Sequence, residues 1–478
     1  MIKDISIVGG GTSGLIAALI LKNRFNNLKI QIIKSDKIGI IGVGEGSTEH
    51  WQSFMDFCQI DYLQLLKETG ATFKYGVLFD NWTEKKYFHH IVSPMSFLYG
   101  QYLSVFSYAI ANNYSPKEYT YLDGCLNNRV MFINQPTNQY HFNTFKLNKF
   151  LLKKCREKNI NIIEDEINEV ILKDNKIKKL IGNKKEYTSD FFIDSTGFKK
   201  LLISKLGAKW ISYKEHLPLN EAIAFPTDDT STYTPYTLAR AMKAGWMWRI
   251  PVWGRWGNGY VFNNKYINAE QAKQECENYL GHNITIAKNI KFEAGSLDKT
   301  WIENCVAIGL SSSFVEPLEA TSIGMSIQQT FLLMHLLPNY NLKNIEKYNL
   351  AFKEMIENVR DFIVLHYLVN KKDSKFWRDL KLNIPSSLKH KLKIWKNRLP
   401  IRDDFLGSYN LFYEANWTLI LKELGFINKD TITKEFNFLS EHLQLNSQKL
   451  FDEHLAEIKP RKAWIDHKKY LGALVKEC

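Results

Sequence analysis

Residues 5–21 read ISIVGGGTSGLIAALIL, and this stretch decides the fold. An apolar run predicts a strand, Gly9, Gly11 and Gly14 follow at G-x-G-x-x-G spacing, and an apolar helical pattern comes next. Glycines at this spacing permit a tight turn and let the backbone approach a pyrophosphate at the helix N-terminus. The motif predicts an α/β fold with a Rossmann-type dinucleotide site, and a glycine turn without a ligand is the alternative. The residues that would contact the cofactor are Gly9, Gly10, Gly11, Thr12, Ser13 and Gly14.

Three later stretches bear on the same site. The next predicted strand, KIQII at 29–33, ends in Lys34 where an acid usually binds the ribose hydroxyls, so the ribose contact is less certain than the phosphate contact. Residues 41–48, IGVGEGST, form a second glycine-rich loop with Glu45, which either straps a cofactor or is an ordinary connection. The stretch DFFIDSTGF at 190–198 is typical of the far end of a flavin-type Rossmann domain. Because no second G-x-G-x-x-G is found, we expect one dinucleotide and reducing equivalents that arrive from outside.

The stretch SSSFVEPLEATSIGM at 311–325 carries two carboxylates three residues apart, Glu316 and Glu319. It follows a predicted strand and precedes a predicted helix. A turn between a strand and a helix N-terminus leaves backbone N–H groups unpaired, so it is a natural seat for an anion. A carboxylate beside that seat is a candidate base.

The composition excludes several classes of protein. The chain of 478 residues carries a net charge of +13, but it has no basic tract with interleaved aromatic residues and no nucleic-acid module. Six scattered cysteines without a C-x-x-C predict a reduced, cytoplasmic protein without a disulfide or zinc framework. The sequence contains no run of about 18 apolar residues, so no membrane span is predicted. We therefore expect no nucleic acid, no membrane and no metal site.

Two further stretches are rich in aromatic residues. In ATFKYGVLFDNW at 71–82, alternation predicts one strand with a buried face, and Lys74 would point to the other face. In GWMWRIPVWGRWGNGYVF at 245–262, the spacing of Trp246 and Trp248 puts both indoles on one face of a strand. A His-His pair in KYFHHIVS at 86–93 is structural or exposed on its pattern alone, because no third metal ligand accompanies it.

The order of these patterns predicts three modules. The segments 1–50, 145–215 and 290–340 would form the cofactor module, and the segments 51–144 and 216–289 a substrate and channel module with mixed strands. After residue 340 the pattern becomes helical at 343–370, 384–398, 411–424, 430–444 and 446–458. We expect residues 341–478 to form a helical subdomain that covers the substrate site.

Taken together, the stretches resemble the flavin-dependent halogenases, in particular the tryptophan-halogenase group. Four motifs carry the resemblance in order: GGGTSG at 9–14, GVGE at 42–45, W-x-W-x-I-P at 246–251 and GLSSSFVEPLEAT at 309–321. The W-x-W-x-I-P motif is the specific one, since flavin hydroxylases share the glycine turn. The fold implied is a flavin-monooxygenase-like Rossmann module with mixed sheets.

The resemblance implies a two-site enzyme that uses FAD as FADH2, supplied by a separate flavin reductase, together with oxygen and a halide ion. Hypohalous acid made at the flavin would travel through the protein to Lys74, and Glu319 would help to remove the ring proton. The halide would bind the backbone N–H groups of Thr321 and Ser322, and Trp246 and Trp248 would shield the flavin from substrate. The further residues that match cofactor positions are Glu45, Ile167, Leu310 and Ile323.

Departures from the family pattern affect halide and substrate. The family reads Glu-Ser-Thr-Gly where this chain reads Glu319, Ala320, Thr321, Ser322, so bromide or iodide is as plausible as chloride. At the expected substrate site His90 matches, Val92 replaces an aromatic residue, and Trp417 stands in an Asn-Trp-Thr sequence where a tyrosine pair would hold the amino-acid part of tryptophan. We expect a small indole, phenol or other electron-rich arene in place of free tryptophan.

Two other functions compete with halogenation. A flavin-dependent aromatic monooxygenase would insert oxygen, and the mass of the product separates the two reactions. A non-catalytic flavin-binding or basic interaction protein would show no turnover and no effect of Lys74→Ala. We also expect a homo-oligomer. The substrate, the ring position, the halide order and the source organism cannot be predicted from the sequence.

Overall fold

The computed structural model describes residues 2–40, 45–90, 103–131, 137–458 and 464–476. In this part of the chain two large sheets share one hydrophobic core with the surrounding helices. The predicted fold class, an α/β Rossmann-type module with mixed sheets and a helical C-terminal region, is confirmed. The division into modules at the predicted boundaries stays a prediction, because the largest core cluster runs through all three of them.

The first large sheet begins with the strand of the glycine motif, Asp4–Val8, which pairs in parallel with Phe191–Asp194 and Lys29–Lys34. Its apolar side chains are buried on both faces, as expected for a parallel sheet covered by helices. In spatial order the strands are Trp301–Ile302, Cys305–Ala307, Phe191–Asp194, Asp4–Val8, Lys29–Lys34 and Asn161–Glu164. The carboxyl ends of the parallel strands meet at one edge, where a ligand site is expected.

The second large sheet contains the W-x-W-x-I-P strand. The stretch 245–262 folds into a hairpin, Gly245–Val252 with Arg255–Phe262, in which the strand that carries both indoles was predicted and its partner strand was not. The spatial order is Lys288–Lys291, Glu221–Thr227, Arg255–Phe262, Gly245–Val252, Thr237–Met242, Gly76–Asp80 and Tyr87–His90. Neighbouring strands are antiparallel except for Thr237–Met242 with Gly76–Asp80, which are parallel.

The prediction of one strand over 71–82 is wrong. The segment forms two short strands, Thr72–Phe73 and Gly76–Asp80, which belong to different sheets. The chain changes sheets at Lys74 and Tyr75, whose N–H groups donate to Gln139 O (3.0 Å) and Pro235 O (2.6 Å). Every residue from 71 to 80 is buried, so the alternation did not mark an exposed face. Lys74 therefore lies at a junction between two sheets.

Smaller sheets and the helices complete the described structure. The small sheets are Ile167–Lys173 with Lys176–Gly182 and Glu186–Tyr187, Trp210–Ser212 with Gly295–Leu297 and Ser313–Phe314, Glu45–Gly46 with Tyr140–Phe142 and Thr72–Phe73, and Trp464–Asp466 with Arg129–Met131. The α-helices are Thr12–Arg24, His50–Cys58, Tyr62–Thr69, Leu103–Ala111, Pro116–Tyr119, Leu122–Leu126, Thr144–Glu157, Ala269–Leu280, Thr321–Leu336, Leu342–His366, Lys375–Asp379, Ser386–Trp395, Glu414–Glu423, Lys429–Asn437, Glu441–Ile458 and His467–Lys476. Short 3-10 turns lie at Gly197–Lys199, Ile203–Leu206, Gly309–Ser311, Leu318–Ala320 and Arg402–Asp404.

The C-terminal region is helical as predicted, with two differences. The break that was expected near residue 445 lies between Asn437 and Glu441, so the helix Lys429–Asn437 is short and Glu441–Ile458 is long. A strand, Trp464–Asp466, and a helix, His467–Lys476, were not predicted. The strand pairs with Arg129–Met131, and a two- or three-residue strand gives too short a pattern to recognise.

Two expectations from composition concern membrane spans and metal sites. None of the described helices combines the length and the apolar character that a bilayer crossing requires. Among the described residues, no cluster of three or more His, Cys, Asp or Glu side chains has an arrangement that could hold a metal ion.

Candidate active site

The glycine turn leaves an open approach to its backbone at one of its three motif glycines. Gly9 has φ +117°, and a Cβ there would lie 2.1 Å from Ser195 O, while a Cβ on Gly14 would lie 2.4 Å from Gly9 O. These two glycines are therefore explained by the fold. A Cβ on Gly11 would meet nothing within 4 Å, so packing does not explain the third glycine. An open approach to the backbone at Gly11 fits the pyrophosphate of a dinucleotide.

The helix that starts at Thr12 supports the same interpretation. Its N-cap residue is Gly11, and no side chain caps its first N–H groups. Ser13 Oγ lies 2.9 Å from Ser326 Oγ, which joins this helix to the helix Thr321–Leu336. Lys34, beside the turn, forms ion pairs with Asp36 and Glu164, so the ribose position carries a charge cluster instead of a free acid. The residues present fit an FAD pyrophosphate, and they give no clear ribose ligand.

The other predicted cofactor residues lie at two places. Leu310 and Ile323 line the cavity described next. Ile167 is buried at the start of the strand Ile167–Lys173, in a cluster with Val8 and Ile33 at the edge of the first sheet. The backbone of Glu45 pairs with Phe142. Residues 42–44 of the predicted GVGE loop lie outside the described residues.

A cavity of about 170 Å3 is lined by residues of the second sheet, by residues 309–310 and by the EPLE stretch. This is well above the room that a single water molecule needs. Its lining includes Gly309, where an added Cβ would lie 2.3 Å from Ser13 Oγ of the glycine-turn helix. The lining also includes Gly46 and Glu319. The same cavity therefore has lining residues next to the glycine-turn helix and in the EPLE stretch.

The two indoles form one wall of this cavity. The rings of Trp246 and Trp248 lie 6.2 Å apart on the same face of their strand. Trp246 Nε1 donates to Glu316 Oε1 at 2.9 Å, and the Tyr367 hydroxyl donates to both oxygens of Glu316 at 2.7 and 2.8 Å. Burial raises the pKa of Glu316 to about 7, although both donors oppose this. Glu316 thus fixes the ring plane of Trp246, whereas the N–H of Trp248 has no hydrogen-bond partner among the described residues.

Lys74 is fully buried beside Gly46, which lines the cavity. Its Nζ donates to Ser47 O at 2.7 Å, and a Cβ on Gly46 would lie 3.6 Å from that Nζ and 3.3 Å from Ala320 Cβ. Burial lowers the pKa of Lys74 to about 8, against the opposing charges of Glu319 and Glu49. The amine is therefore shielded, close to the EPLE turn, and able to change charge near neutral pH.

The EPLE turn places Glu319 in an unusual backbone conformation. Glu319 and Ala320 have φ of +66° and +55°, which is the left-handed region that non-glycine residues rarely adopt. The helix Thr321–Leu336 begins immediately afterwards and has no side-chain cap. Thr321 and Ser322 line the cavity, and N–H groups in the first turn of a helix have no intrahelical partner. An anion such as a halide fits these donors and the helix dipole.

Glu319 is buried between two histidines. His89 Nδ1 lies 2.9 Å from one carboxylate oxygen, and His366 Nε2 lies 3.3 Å from the other. These are ion-pair distances, and in the present ring orientations the angles do not meet hydrogen-bond geometry. Burial opposes the charge, but the two histidines outweigh it and lower the pKa of Glu319 well below its usual range. Glu319 is therefore held as a carboxylate.

The structure does not bring all predicted substrate residues to this centre. His90 follows His89 on the strand Tyr87–His90, so it faces away from Glu319 and lies 4.5 Å from the Phe88 ring. Trp417 is fully buried and its ring lies 5.1 Å from that of Phe362, and a contact with substrate stays a prediction for this side chain. Val92 lies outside the described residues.

Sequence reasoning missed the residues that surround Glu319. His89 belongs to the His-His pair, whose alternation on a strand indicates that only one of the two can face a given site. His366 stands at the end of the helix Leu342–His366, and nothing in the sequence connects it to Glu319. Asn416 precedes Trp417 and reaches His89 instead, with Nδ2 3.3 Å from His89 Nε2. Only the packing of three distant segments shows these contacts.

Comparison with protein families gives a match along most of the chain. The family model described as "Tryptophan halogenase" matches residues 4–434. Among characterised relatives, 7-chloro-L-tryptophan 6-halogenase KtzR of Kutzneria sp. (strain 744) is 30% identical, and the alignment covers 98% of this chain and 99% of the relative.

Solved structures give the same result for the fold. A tryptophan halogenase from Shewanella frigidimarina NCIMB 400 superposes with a TM-score of 0.91 at 25% identity, covering 99% of this chain and 98% of that one. A flavin-dependent halogenase from Xanthomonas campestris superposes with a TM-score of 0.84 at 27% identity, again over 99% and 98% of the two chains.

Proposed function

This chain belongs to the tryptophan halogenase family, and we propose that it halogenates an electron-rich aromatic substrate with FADH2, oxygen and a halide. The observation that carries the proposal is one cavity whose lining includes both Gly309, next to Ser13 of the glycine-turn helix, and Glu319. When bound, FADH2 supplies two electrons to O2 and, with a halide ion and a proton, yields FAD, water and hypohalous acid.

The protein binds the two reactants at helix N-termini. The turn at Gly11 and the helix after it hold the pyrophosphate of FAD, because the backbone there is open and uncapped. The N–H groups of Thr321 and Ser322 hold the halide. A halide needs donors without a formal negative neighbour, and the nearby Glu319 points toward its two histidines. Ser322 replaces the glycine of the family pattern, so bromide and iodide remain candidates beside chloride.

The indoles separate the two chemistries. Trp246 and Trp248 occupy the cavity wall, and the hydrogen bonds of Glu316 keep Trp246 from turning aside. A small oxidant passes such a wall more easily than an aromatic ring does. The flavin end is thereby closed to the substrate, which disfavours direct oxygenation of the ring.

Lys74 and Glu319 act at the substrate end. The Lys74 ammonium donates to the oxygen of hypohalous acid, so the oxygen–halogen bond breaks, a carbon–halogen bond forms, and the hydroxide leaves as water with the lysine proton. Glu319 then takes the proton from the ring. Glu319 passes this proton to the neutral Lys74 amine, which restores the ammonium. A carboxylate with a lowered pKa is a weak base, but a protonated aromatic ring is so strongly acidic that a weak base suffices.

The substrate is an indole, a phenol or a related arene, and we infer that it is not free tryptophan. The segment that would hold the amino-acid part carries Asn416 and Trp417, and Trp417 is enclosed in the helical core. Without a tyrosine pair at this position, an amino-acid group loses its expected partners. A separate flavin reductase supplies FADH2. We further propose that the protein is a homo-oligomer and lies in the cytoplasm.

The experiment is a panel of aromatic compounds, free tryptophan included, with a flavin reductase, FAD, NADH and each halide in turn. We expect a product whose mass shows one halogen replacing one hydrogen. A product that gains oxygen would assign the protein to the monooxygenases. Turnover of free tryptophan above every other compound would contradict the proposed substrate class.

A further inference from the structure

Glu319 lies where two histidines approach it, and the hydrogen atoms on those histidines decide its charge. The titratable and charged groups around it are His89 and Tyr87 of the strand Tyr87–His90, His366 of the helix Leu342–His366, and Lys74 at the sheet junction. A neutral histidine carries its proton on one ring nitrogen only. The partner of the outer nitrogen therefore determines what the inner nitrogen offers to Glu319.

The tautomer of His89 follows from a chain of contacts in the helical region. The Tyr413 N–H donates to Asn416 Oδ1 at 3.0 Å, which fixes the orientation of the Asn416 amide. Its NH2 group then faces His89 Nε2 at 3.3 Å. An amide NH2 only donates, so Nε2 of His89 accepts and Nδ1 carries the hydrogen. That nitrogen is the one that lies 2.9 Å from Glu319 Oε2.

The tautomer of His366 follows in the same way. The Tyr87 hydroxyl lies 3.2 Å from His366 Nδ1. Burial and the charge of Glu319 raise the pKa of Tyr87 well above its usual value, so it remains a phenol with one O–H to donate. A phenol oxygen can donate or accept, but the ionised Glu319 only accepts, so Nε2 of His366 carries the hydrogen and Nδ1 accepts from the Tyr87 O–H.

We propose that Asn416 and Tyr87 are positioning residues that fix both histidines as N–H donors to Glu319. Each carboxylate oxygen then receives one N–H, which keeps Glu319 ionised and holds the carboxylate in one orientation beside Lys74. Asn416 stands on the helix Glu414–Glu423, so the helical subdomain contributes directly to the charge of the catalytic centre. Only the catalytic meaning of this arrangement rests on the proposed function.

The decisive variant is Asn416→Asp, which keeps the shape and replaces the donor by an acceptor. The aspartate oxygen facing His89 would draw the hydrogen to Nε2. We expect nitrogen NMR of the isotopically labelled protein to show His89 protonated at Nδ1 in the wild type and at Nε2 in the variant. The exposed Asn283→Asp is the matched control and should keep the wild-type tautomer. Finding His89 protonated at Nε2 in the wild type would overturn the proposal.

Tyr87→Phe provides a second variant that changes a single hydroxyl. Without the O–H donor, His366 is free to place its hydrogen on Nδ1, so we expect a mixture of tautomers for His366 and no change for His89. An unchanged single tautomer of His366 in Tyr87→Phe would overturn the role of Tyr87. This result does not depend on Asn416→Asp folding correctly.

The charge of Glu319 is measured by infrared spectroscopy of its carboxyl group, assigned by its loss in Glu319→Gln. We expect Glu319 to stay ionised from about pH 5 to about pH 8 in the wild type, and its protonation midpoint to rise by one unit or more in Asn416→Asp. An identical midpoint in both proteins would contradict the proposal.

The halogenation rate then tests whether this arrangement of donors around Glu319 contributes to catalysis. We expect Asn416→Asp to lower the halogenation rate about tenfold or more at low pH and to recover part of it as the pH rises, with no further loss when combined with Glu319→Gln. If no halogenation occurs in any protein, the proposed function fails while the spectra still support the arrangement of donors. If halogenation is normal and the spectra show other tautomers, the arrangement fails and the proposed function stands.

Discussion

At the scale of single residues, Lys74 combines three properties that rarely occur together. It is fully buried, its Nζ donates to Ser47 O, and burial lowers its pKa to about 8. A lysine on the surface would keep its charge throughout the neutral range. The same residue was indistinguishable from 62 other basic residues by its pattern, since the chain contains 63 Lys and Arg.

The first prediction concerns the charge of Lys74. We expect the ammonium form to be active, because the leaving hydroxide needs a proton. The halogenation rate constant should therefore be level below about pH 8 and fall above it, as the amine loses its proton with the lowered pKa. Stopped-flow reaction with preformed reduced flavin, followed by product analysis across the pH range, measures this. A rate that rises through the same range would show that the neutral amine is the reactive form.

The second prediction compares the two cavity indoles. Trp246→Phe removes the N–H that Glu316 accepts, whereas Trp248→Phe removes an N–H without a partner among the described residues. The loss of a hydrogen bond to a buried acceptor costs about 1–3 kcal/mol. We expect Trp246→Phe to lower the free energy of unfolding by about 1 kcal/mol or more beyond Trp248→Phe in urea denaturation. Equal losses for the two variants would mean that Glu316 does not orient Trp246.

At the scale of elements, the glycine turn and the EPLE turn use helix N-termini in the same way. The helices Thr12–Arg24 and Thr321–Leu336 both lack a side-chain cap, and they contact each other through Ser13 and Ser326. An uncapped first turn is costly unless something else binds there. The pairing of these two helices places the proposed cofactor-binding turn next to the helix whose first residues, Thr321 and Ser322, line the cavity.

The third prediction tests the cofactor seat. At Gly11 φ is −74° and an added Cβ would meet no atom within 4 Å, so Gly11→Ala should stay within about 1 kcal/mol of the wild-type stability, because the lower entropy of its unfolded chain offsets the poorer N-cap. The methyl group would occupy the approach of the pyrophosphate, and we expect FAD affinity to fall tenfold or more in fluorescence titration. Gly14→Ala is the contrasting variant, because its Cβ would lie 2.4 Å from Gly9 O and should destabilise the protein itself. Unchanged FAD affinity in Gly11→Ala would place the cofactor elsewhere.

The fourth prediction concerns the strained EPLE turn. Ala320 has φ +55°, where alanine is strained and glycine is not. Ala320→Gly should therefore change the free energy of unfolding by less than about 0.5 kcal/mol. The control is Ala456→Gly on the exposed face of the helix Glu441–Ile458, where glycine costs about 1 kcal/mol. If both substitutions cost the same in urea denaturation, the turn does not hold Ala320 in the left-handed conformation.

At the scale of the whole molecule, much of the fold follows from local patterns. The glycine-turn strand and helix, the strand that carries W-x-W and the helix Thr321–Leu336 follow from periodicity and turn residues. The strand change at Lys74 does not, because ten consecutive buried residues from 71 to 80 carry no exposed face to read. Local alternation cannot distinguish one strand from two strands of different sheets.

The contacts within the candidate site are even harder to predict from the sequence than the strand pairing is. Lys74 and Glu319 could be named from family motifs, but the contacts that set the charge of Glu319 come from segments hundreds of residues apart. His89 and Asn416 are 327 positions apart in the chain, and Tyr87 and His366 are 279 apart. Their contact depends on how the helical subdomain packs on the second sheet. The enclosure of Trp417, which the sequence pattern placed at the substrate, has the same origin.

The central claim is that an oxidised halogen species forms at the flavin and is consumed at Lys74. The most direct measurement is a single turnover of Lys74→Met with FADH2, oxygen, bromide and an accepted substrate, in which flavin reoxidation, halogenated product and hypohalous acid captured by an external trap are measured together. The account predicts wild-type flavin reoxidation, loss of the product, and trapped hypohalous acid in its place, whereas Lys173→Met on the surface behaves as the wild type. Halogenated product at the wild-type level in Lys74→Met would contradict the account.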